Sequence, residues 1–264
     1  MFFGMIMGDI GYGLALAVLA LWLRHGGAPG STRRAVAEVL GAGAAFAVAF
    51  GIAFGEFFGD LGRRWFGLEP LLLDREKSLL PFLGLAIAIG TVHIALGLTL
   101  GVINASRGHP RQAVGRGVSL AMLALIILVL LAAFEVLPHG FLTPSVVGLL
   151  VLFPILILAE GIIAPIEFLS TLSNILSYAR IMALGTASVM MAVVANELAG
   201  SIGSVLVGVL FALLFHLVNF GLAIFAPTVH GLRLHYVEFF GKFQSPGGQV
   251  YRPFSHWRPN GTAG

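Results

Sequence analysis

The chain has 264 residues, of which 58% are apolar and 10% charged, and its mean hydropathy is +0.97. Soluble domains carry about 25% charged and about 45 to 50% apolar residues, so the composition excludes a water-soluble globule and indicates an integral membrane protein. Its net charge of +3 comes from 15 basic and 12 acidic residues, the basic ones gathered in short loops, and there is no cysteine. That distribution fits membrane orientation and not nucleic-acid binding, and the missing cysteines remove disulfides, thiolate metal sites and cysteine nucleophiles together.

A membrane-crossing helix needs about 20 predominantly apolar residues. Seven such runs follow one another, at 1–23, 35–58, 79–105, 117–137, 144–165, 166–198 and 202–236. The first carries Asp9 in a glycine-rich stretch and has neither the basic start nor the cleavage site of a secretory signal, so it reads as part of the mature protein. The last two are long for a perpendicular crossing of a core about 30 Å thick and imply tilt, and Pro227 is an expected kink in the seventh. The expectation is an all-α, polytopic transmembrane bundle over residues 1–243. An irregular tail rich in proline and glycine follows at 244–264.

Loop charges set the orientation, because short cytoplasmic loops are enriched in lysine and arginine. With seven spans, Arg24, Arg33, Arg34, Arg107, Arg111, Arg116, Lys242, Arg252 and Arg258 share one side. The other side receives Arg63, Arg64, Arg75 and Lys77, offset by Asp60, Glu69, Asp74 and Glu76. The C-terminus is therefore expected to be cytoplasmic.

Charge inside the spans carries the functional signal. Arg180 lies 14 residues into the sixth run, about 21 Å along a helix, and a mid-helix arginine costs ~2.5 to 3.5 kcal/mol on insertion scales. Ser173, Ser177, Ala183 and Ala187 fall on or beside its face at three-, four- or seven-residue spacing. Small residues there admit a partner helix bearing a carboxylate; the alternative is a structural pair with Glu160 or Glu167 inside the bundle. On the seventh run His216, Asn219, His230 and Arg233 project within an arc of roughly 100°, a polar stripe that suits a hydrated path or buried packing. Asp9, Glu56, Asp60, Glu135, Glu160, Glu167 and Glu197 complete the carboxylates, of which Asp60 and Glu135 sit at span ends. His93 lies within the third run, where the packing and path readings stand equal. No GxxxxGK[ST], HExxH or GxSxG segment occurs, so no catalytic site, cofactor or metal is expected on this chain.

Residues 172–200, LSNILSYARIMALGTASVMMAVVANELAG, resemble the arginine-bearing helix of the membrane stator subunit of rotary V-type and A-type ATPases, called subunit a or subunit I. Residues 216–243, HLVNFGLAIFAPTVHGLRLHYVEFFGKF, resemble that family's final helix, and FFGMIMGDIGYG and GIAFGEFFGD agree with two further motifs. The resemblance implies two offset proton half-channels that meet at Arg180, which faces the carboxylates of a rotor ring of small proteolipid subunits. It implies that Arg233 and His230 lie beside it, that Glu167 lines a half-channel, and that Asp9 and Glu56 stand at the early GD and GE motifs. The implied partners are the rotor ring, peripheral and central stalk subunits, a nucleotide-binding ATPase sector and the lipid bilayer of a prokaryotic plasma membrane. The family's large N-terminal cytoplasmic domain is not in this sequence, and the residues up to Gly8 match only the end of a preceding helix, which makes seven spans plus a stub of an eighth. The competing readings are a self-contained ion-coupled secondary transporter and a truncated, non-transporting relative.

Overall fold

A computed structural model describes residues 1–106, 108 and 110–244. It is helical throughout, with no strand among the described residues. Six helices are long and apolar enough to cross a membrane: Thr32–Phe54, Leu79–Ser106, Pro110–Ala133, His139–Glu160, Ala164–Ser201 and Val205–Lys242. They correspond in order to the second through seventh expected runs. The expected irregular tail, apart from Gln244, lies outside the described residues.

The first expected run departs from a single span. Helix α1 (Phe2–Met7) ends at Gly8, whose φ of 38° is left-handed, and α2 (Ile10–His25) begins from Asp9, whose carboxylate accepts the Tyr12 amide at 3.0 Å. A left-handed glycine followed by an aspartate cap stops one helix and starts another. The two run in opposite directions against α3 (Thr32–Phe54). In α1, Gly4 lies against Phe46 and Gly8 against Phe54, a parallel register, whereas in α2 Gly13 lies against Val48 and Ile10 against Gly51. A Cβ would come within 2.5 Å of the facing Phe46 backbone at Gly4 and within 2.4 Å of the Ile10 amide at Gly51, so the small residues set how closely these helices approach. The chain thus reverses at Gly8–Asp9, and α2, at 16 residues, is a shorter apolar helix.

Gly55, at φ 68°, ends α3 four residues short of the expected run. A compact connection follows, containing α4 (Leu61–Phe66) and the segment 67–78, before α5 (Leu79–Ser106). The helices α6 (Pro110–Ala133) and α7 (Leu142–Glu160) form an antiparallel hairpin at one side of the bundle. The sixth run is two helices, α8 (Ala164–Leu176) and α9 (Ala179–Ser201), interrupted at Ser177–Tyr178, where the buried Tyr178 ring packs against Gly90 of α5.

The seventh run is α10 (Val205–Arg233), which stays helical through Pro227 and passes into a π-helical segment, Leu234–Phe239, and a 3-10 turn, Phe240–Lys242. One apolar core joins α1, α5, α6, α8 and α9 around Phe82, Ile94, Tyr178 and Ile181; a second joins α1, α2, α3, α9 and α10 around Tyr12, Leu16, Ala47 and Ala192.

Candidate functional site: intramembrane charge at α9 and α10

Arg180 occupies the first turn of α9, near the middle of the 38-residue stretch Ala164–Ser201. Its partner is neither Glu160 nor Glu167. The Arg180 guanidinium lies 3.7 Å from the Glu238 carboxylate, and the Arg233 Nε lies 3.8 Å from the same Oε1. Glu238 is 1% exposed, and its other oxygen, like one terminal nitrogen of Arg180, has no hydrogen-bond partner among the described residues. His230, whose buried Nδ1 is also unpartnered, lies close enough to feel both arginine charges. The expected grouping of Arg180, Arg233 and His230 is therefore present, with Glu238 as the member the sequence did not reveal.

The π segment explains why Glu238 escaped notice. On an α-helix, residues five apart point about 140° away from each other, which puts Glu238 off the Arg233 face. A π turn bonds residue i to i+5 and brings such residues onto one side. The seventh-run stripe divides accordingly at Pro227: His230 and Arg233 join the arginine group, while His216 and Asn219 belong to a second set.

That second set is a hydrogen-bonded chain. Asn196 donates to Asp60 at 2.7 Å and to the Phe58 carbonyl at 2.9 Å, and its amide oxygen meets His216 Nε2 at 2.9 Å. His216 Nδ1 meets the Tyr12 hydroxyl at 2.7 Å, and Asn219 donates to that hydroxyl at 3.0 Å and to the Ser188 carbonyl at 2.9 Å. Asp60 in turn pairs with Arg64 at the loop end of the bundle. The chain runs from that end inward along α9, and the buried Thr186 hydroxyl, on another face of that helix, has no hydrogen-bond partner among the described residues. Tyr12, Ser188 and Asn196 were not foreseen, although Ser188 and Asn196 stand eight and sixteen residues after Arg180 along one i+4 row of α9, a spacing that exposes them to inspection.

A third polar set lies beyond Arg180 in the other direction. Lys242 donates to Thr171 at 2.9 Å, and Glu167 stands one turn before Thr171 on α8. His93 bonds the Tyr178 hydroxyl at 2.5 Å, stacks on Phe239 with ring centres 4.0 Å apart, and meets His235 edge-on. Glu167 and Thr171 thus stand toward one end of the α8–α9 stretch and Asn196 toward the other, with Tyr178 and Arg180 between them.

Asp9 and Glu56 are placed differently. Asp9 accepts backbone amides from Tyr12, Phe58 and Gly59 at 2.8 to 3.0 Å, which ties the GD motif to the GEFFGD turn. Glu56 holds Arg75 in a two-pronged ion pair, one contact being 2.9 Å. Burial pushes the Glu56 carboxyl up from its ordinary value, and the Arg75 charge opposes that shift. Arg75, taken from sequence as a loop charge, is 1% exposed and donates to the carbonyls of Met5, Ile6, Met7 and Gly8 at 2.9 to 3.4 Å. Those are the unpaired carbonyls at the end of α1, where a cation is favoured.

Beside Arg180, Ser173, Ala183 and Ala187 face outward, as do Leu213, Leu217, Gly221 and Phe225 of α10. The outer α9–α10 surface is thus apolar and uncovered among the described residues, with the Arg180 side chain 21% exposed at its edge. These features define an integral membrane protein built around intramembrane charge.

No protein-family model matches the chain. It is 34% identical over 201 residues to A-type ATP synthase subunit I of Thermococcus kodakarensis, covering 71% of this chain and 30% of that one. It is 31% identical over 276 aligned positions to A-type ATP synthase subunit I of Pyrococcus abyssi, covering 96% and 41%, and 36% identical over 94 residues to V-type ATP synthase subunit I of Chlamydia pneumoniae, covering 36% and 14%. The chain belongs to the A-type and V-type ATP synthase subunit I family, and spans less than half the length of these relatives.

Proposed function

We propose that this chain is the membrane stator of a rotary ATP synthase, holding two proton half-paths against a ring of small, carboxylate-bearing rotor subunits. The observation that carries the reading is Arg180, set at the edge of an unpaired small-residue face with one polar set toward Asp60 and another toward Glu167. The first half-path follows Asp60, Asn196, His216, Tyr12, Asn219 and Ser188. The second follows Glu167, with Lys242, Thr171 and the His93–Tyr178 pair beside it. Arg180, Arg233 and His230 separate them. Asp9 and Glu56 hold the scaffold that aligns Tyr12 and Asp60.

A rotor carboxylate is neutral while it faces lipid, because a bare buried charge is far too costly. It ionises only beside Arg180, which stays charged throughout and repels a proton attempting the direct crossing. Transfer between half-paths then requires the ring to turn. Stalk subunits and a nucleotide-binding sector supply or take up the torque, and the C-terminus faces the cytoplasm. One proton crossing 100 mV releases ~2.3 kcal/mol, so several protons accompany each nucleotide turnover.

The chain's lack of cysteine makes the contact testable by disulfide trapping. With a cysteine placed beside the rotor carboxylate, Ala183→Cys and Ala187→Cys are expected to cross-link to the ring on oxidation. Leu150→Cys, outward-facing on α7, is expected not to. Cross-linking from Leu150 and none from the α9 positions would remove the reading.

A further inference from the structure

Glu238 has no part in either half-path, yet it is the most deeply buried carboxylate in the described bundle and stands between two arginines. Both ion-pair distances, 3.7 and 3.8 Å, are longer than hydrogen bonds. The carboxylate therefore neutralises one of the two cations without clamping either guanidinium, and its second oxygen and one Arg180 nitrogen remain unpartnered among the described residues. Without Glu238 the pair would present two positive charges; with it, one.

Resting on the stator reading, we propose that Glu238 is a positioning residue for the rotor step. Held by the π segment, it sets the excess charge at Arg180 and Arg233 to a single unit, so that a rotor carboxylate binds when ionised and leaves when protonated. Two uncompensated arginines would hold that carboxylate ionised to lower pH and slow its release. Arg180 and Arg233 face the Glu238 carboxylate and Tyr178 is near enough to feel its charge; around these stand His230 of α10 beside the two arginines, His93 of α5 against Tyr178 and His235, and Lys242 one turn further on. None of these groups carries a negative charge at neutral pH, so none of them substitutes for Glu238.

The test uses the assembled complex in inverted membrane vesicles, with ATP-driven acidification and ATP hydrolysis recorded across pH for Glu238→Gln, Glu238→Asp and Arg180→Ala. An added neighbouring charge moves a carboxyl by about one pH unit or more. Glu238→Gln is expected to shift the pumping optimum to lower pH by about one unit, with hydrolysis slowing in step and assembly intact. Glu238→Asp, which keeps the charge but draws it back, is expected to shift the optimum in the same direction by less. A Glu238→Gln complex that pumps with the parental pH profile overturns the inference. If Glu238→Gln fails to assemble, Glu238→Asp decides alone: an acid shift supports the inference and the parental profile overturns it. Arg180→Ala separates the two levels, because pumping by that variant removes the stator reading itself. A silent Arg180→Ala beside Glu238 variants of parental pH profile removes only the role given to Glu238.

Discussion

Replacing Arg75 by methionine should destabilise the bundle even though the residue lies in a connection between helices. Its side chain is 1% exposed and that of Glu56 9%, and the guanidinium also serves the terminal carbonyls of α1. Breaking a buried pair from one side costs about 3 to 5 kcal/mol, because the remaining charge is left uncompensated. Arg75→Met and Glu56→Gln are each expected to lower stability by about that amount. The double variant leaves no unpaired charge, so its loss should fall short of the sum by about 1 to 3 kcal/mol. The assay is unfolding of the reconstituted chain by SDS, followed by far-ultraviolet circular dichroism, for the parent, both single variants and the double. Single variants within about 0.5 kcal/mol of the parent would refute the assignment, since that is the range of ordinary surface changes. Strict additivity would equally refute the coupling.

Three further outcomes follow from the same geometry. His216→Leu removes the link between Tyr12 and Asn196 and should reduce ATP-driven acidification by about tenfold or more, the effect of ~1.4 kcal/mol on a barrier, with the complex assembled; the parental rate would take that chain out of the path. Glu167→Gln should reduce acidification by less than removal of Arg180 does, and an unchanged rate would exclude Glu167 from the second half-path. A Cβ at Gly90 would lie 2.5 Å from the Tyr178 ring, so Gly90→Ala should displace that ring from His93 and lower stability by about 1 to 3 kcal/mol, measured by the same SDS titration; parental stability would show that the α5–α9 approach is not tight.

Much of this architecture is legible in the sequence, because long apolar runs separated by charged loops report helices directly. Two failures of that reading have local causes. Residues 1–23 contain enough apolar residues for one span, and hydropathy does not register the reversal imposed by left-handed Gly8 and the Asp9 cap. The run drawn to Phe58 likewise overshoots the helix, which stops at left-handed Gly55, because Phe57 and Phe58 in the following turn extend its apolar pattern.

At the site, Arg180 stands out because an intramembrane arginine needs a partner. Its partner does not stand out, since Glu238 reaches the arginines only through the π segment. Asp9 and Glu56 were visible as charged residues in glycine-rich motifs. What sequence alone does not show is that Asp9 is satisfied by three backbone amides and Glu56 by Arg75, contacts that span 49, 50 and 19 residues. Tyr12 escaped for a similar reason, its hydroxyl partners being more than 200 residues away.

The central claim is that Arg180 separates two half-paths and couples proton movement to rotation. The most direct measurement is ATP-driven acidification of inverted vesicles carrying the native chain or Arg180→Ala, with ATP hydrolysis and assembly followed in the same samples. The account predicts acidification with the native chain and none with the variant while the complex remains assembled. Undiminished ATP-driven acidification in the Arg180→Ala vesicles would contradict it.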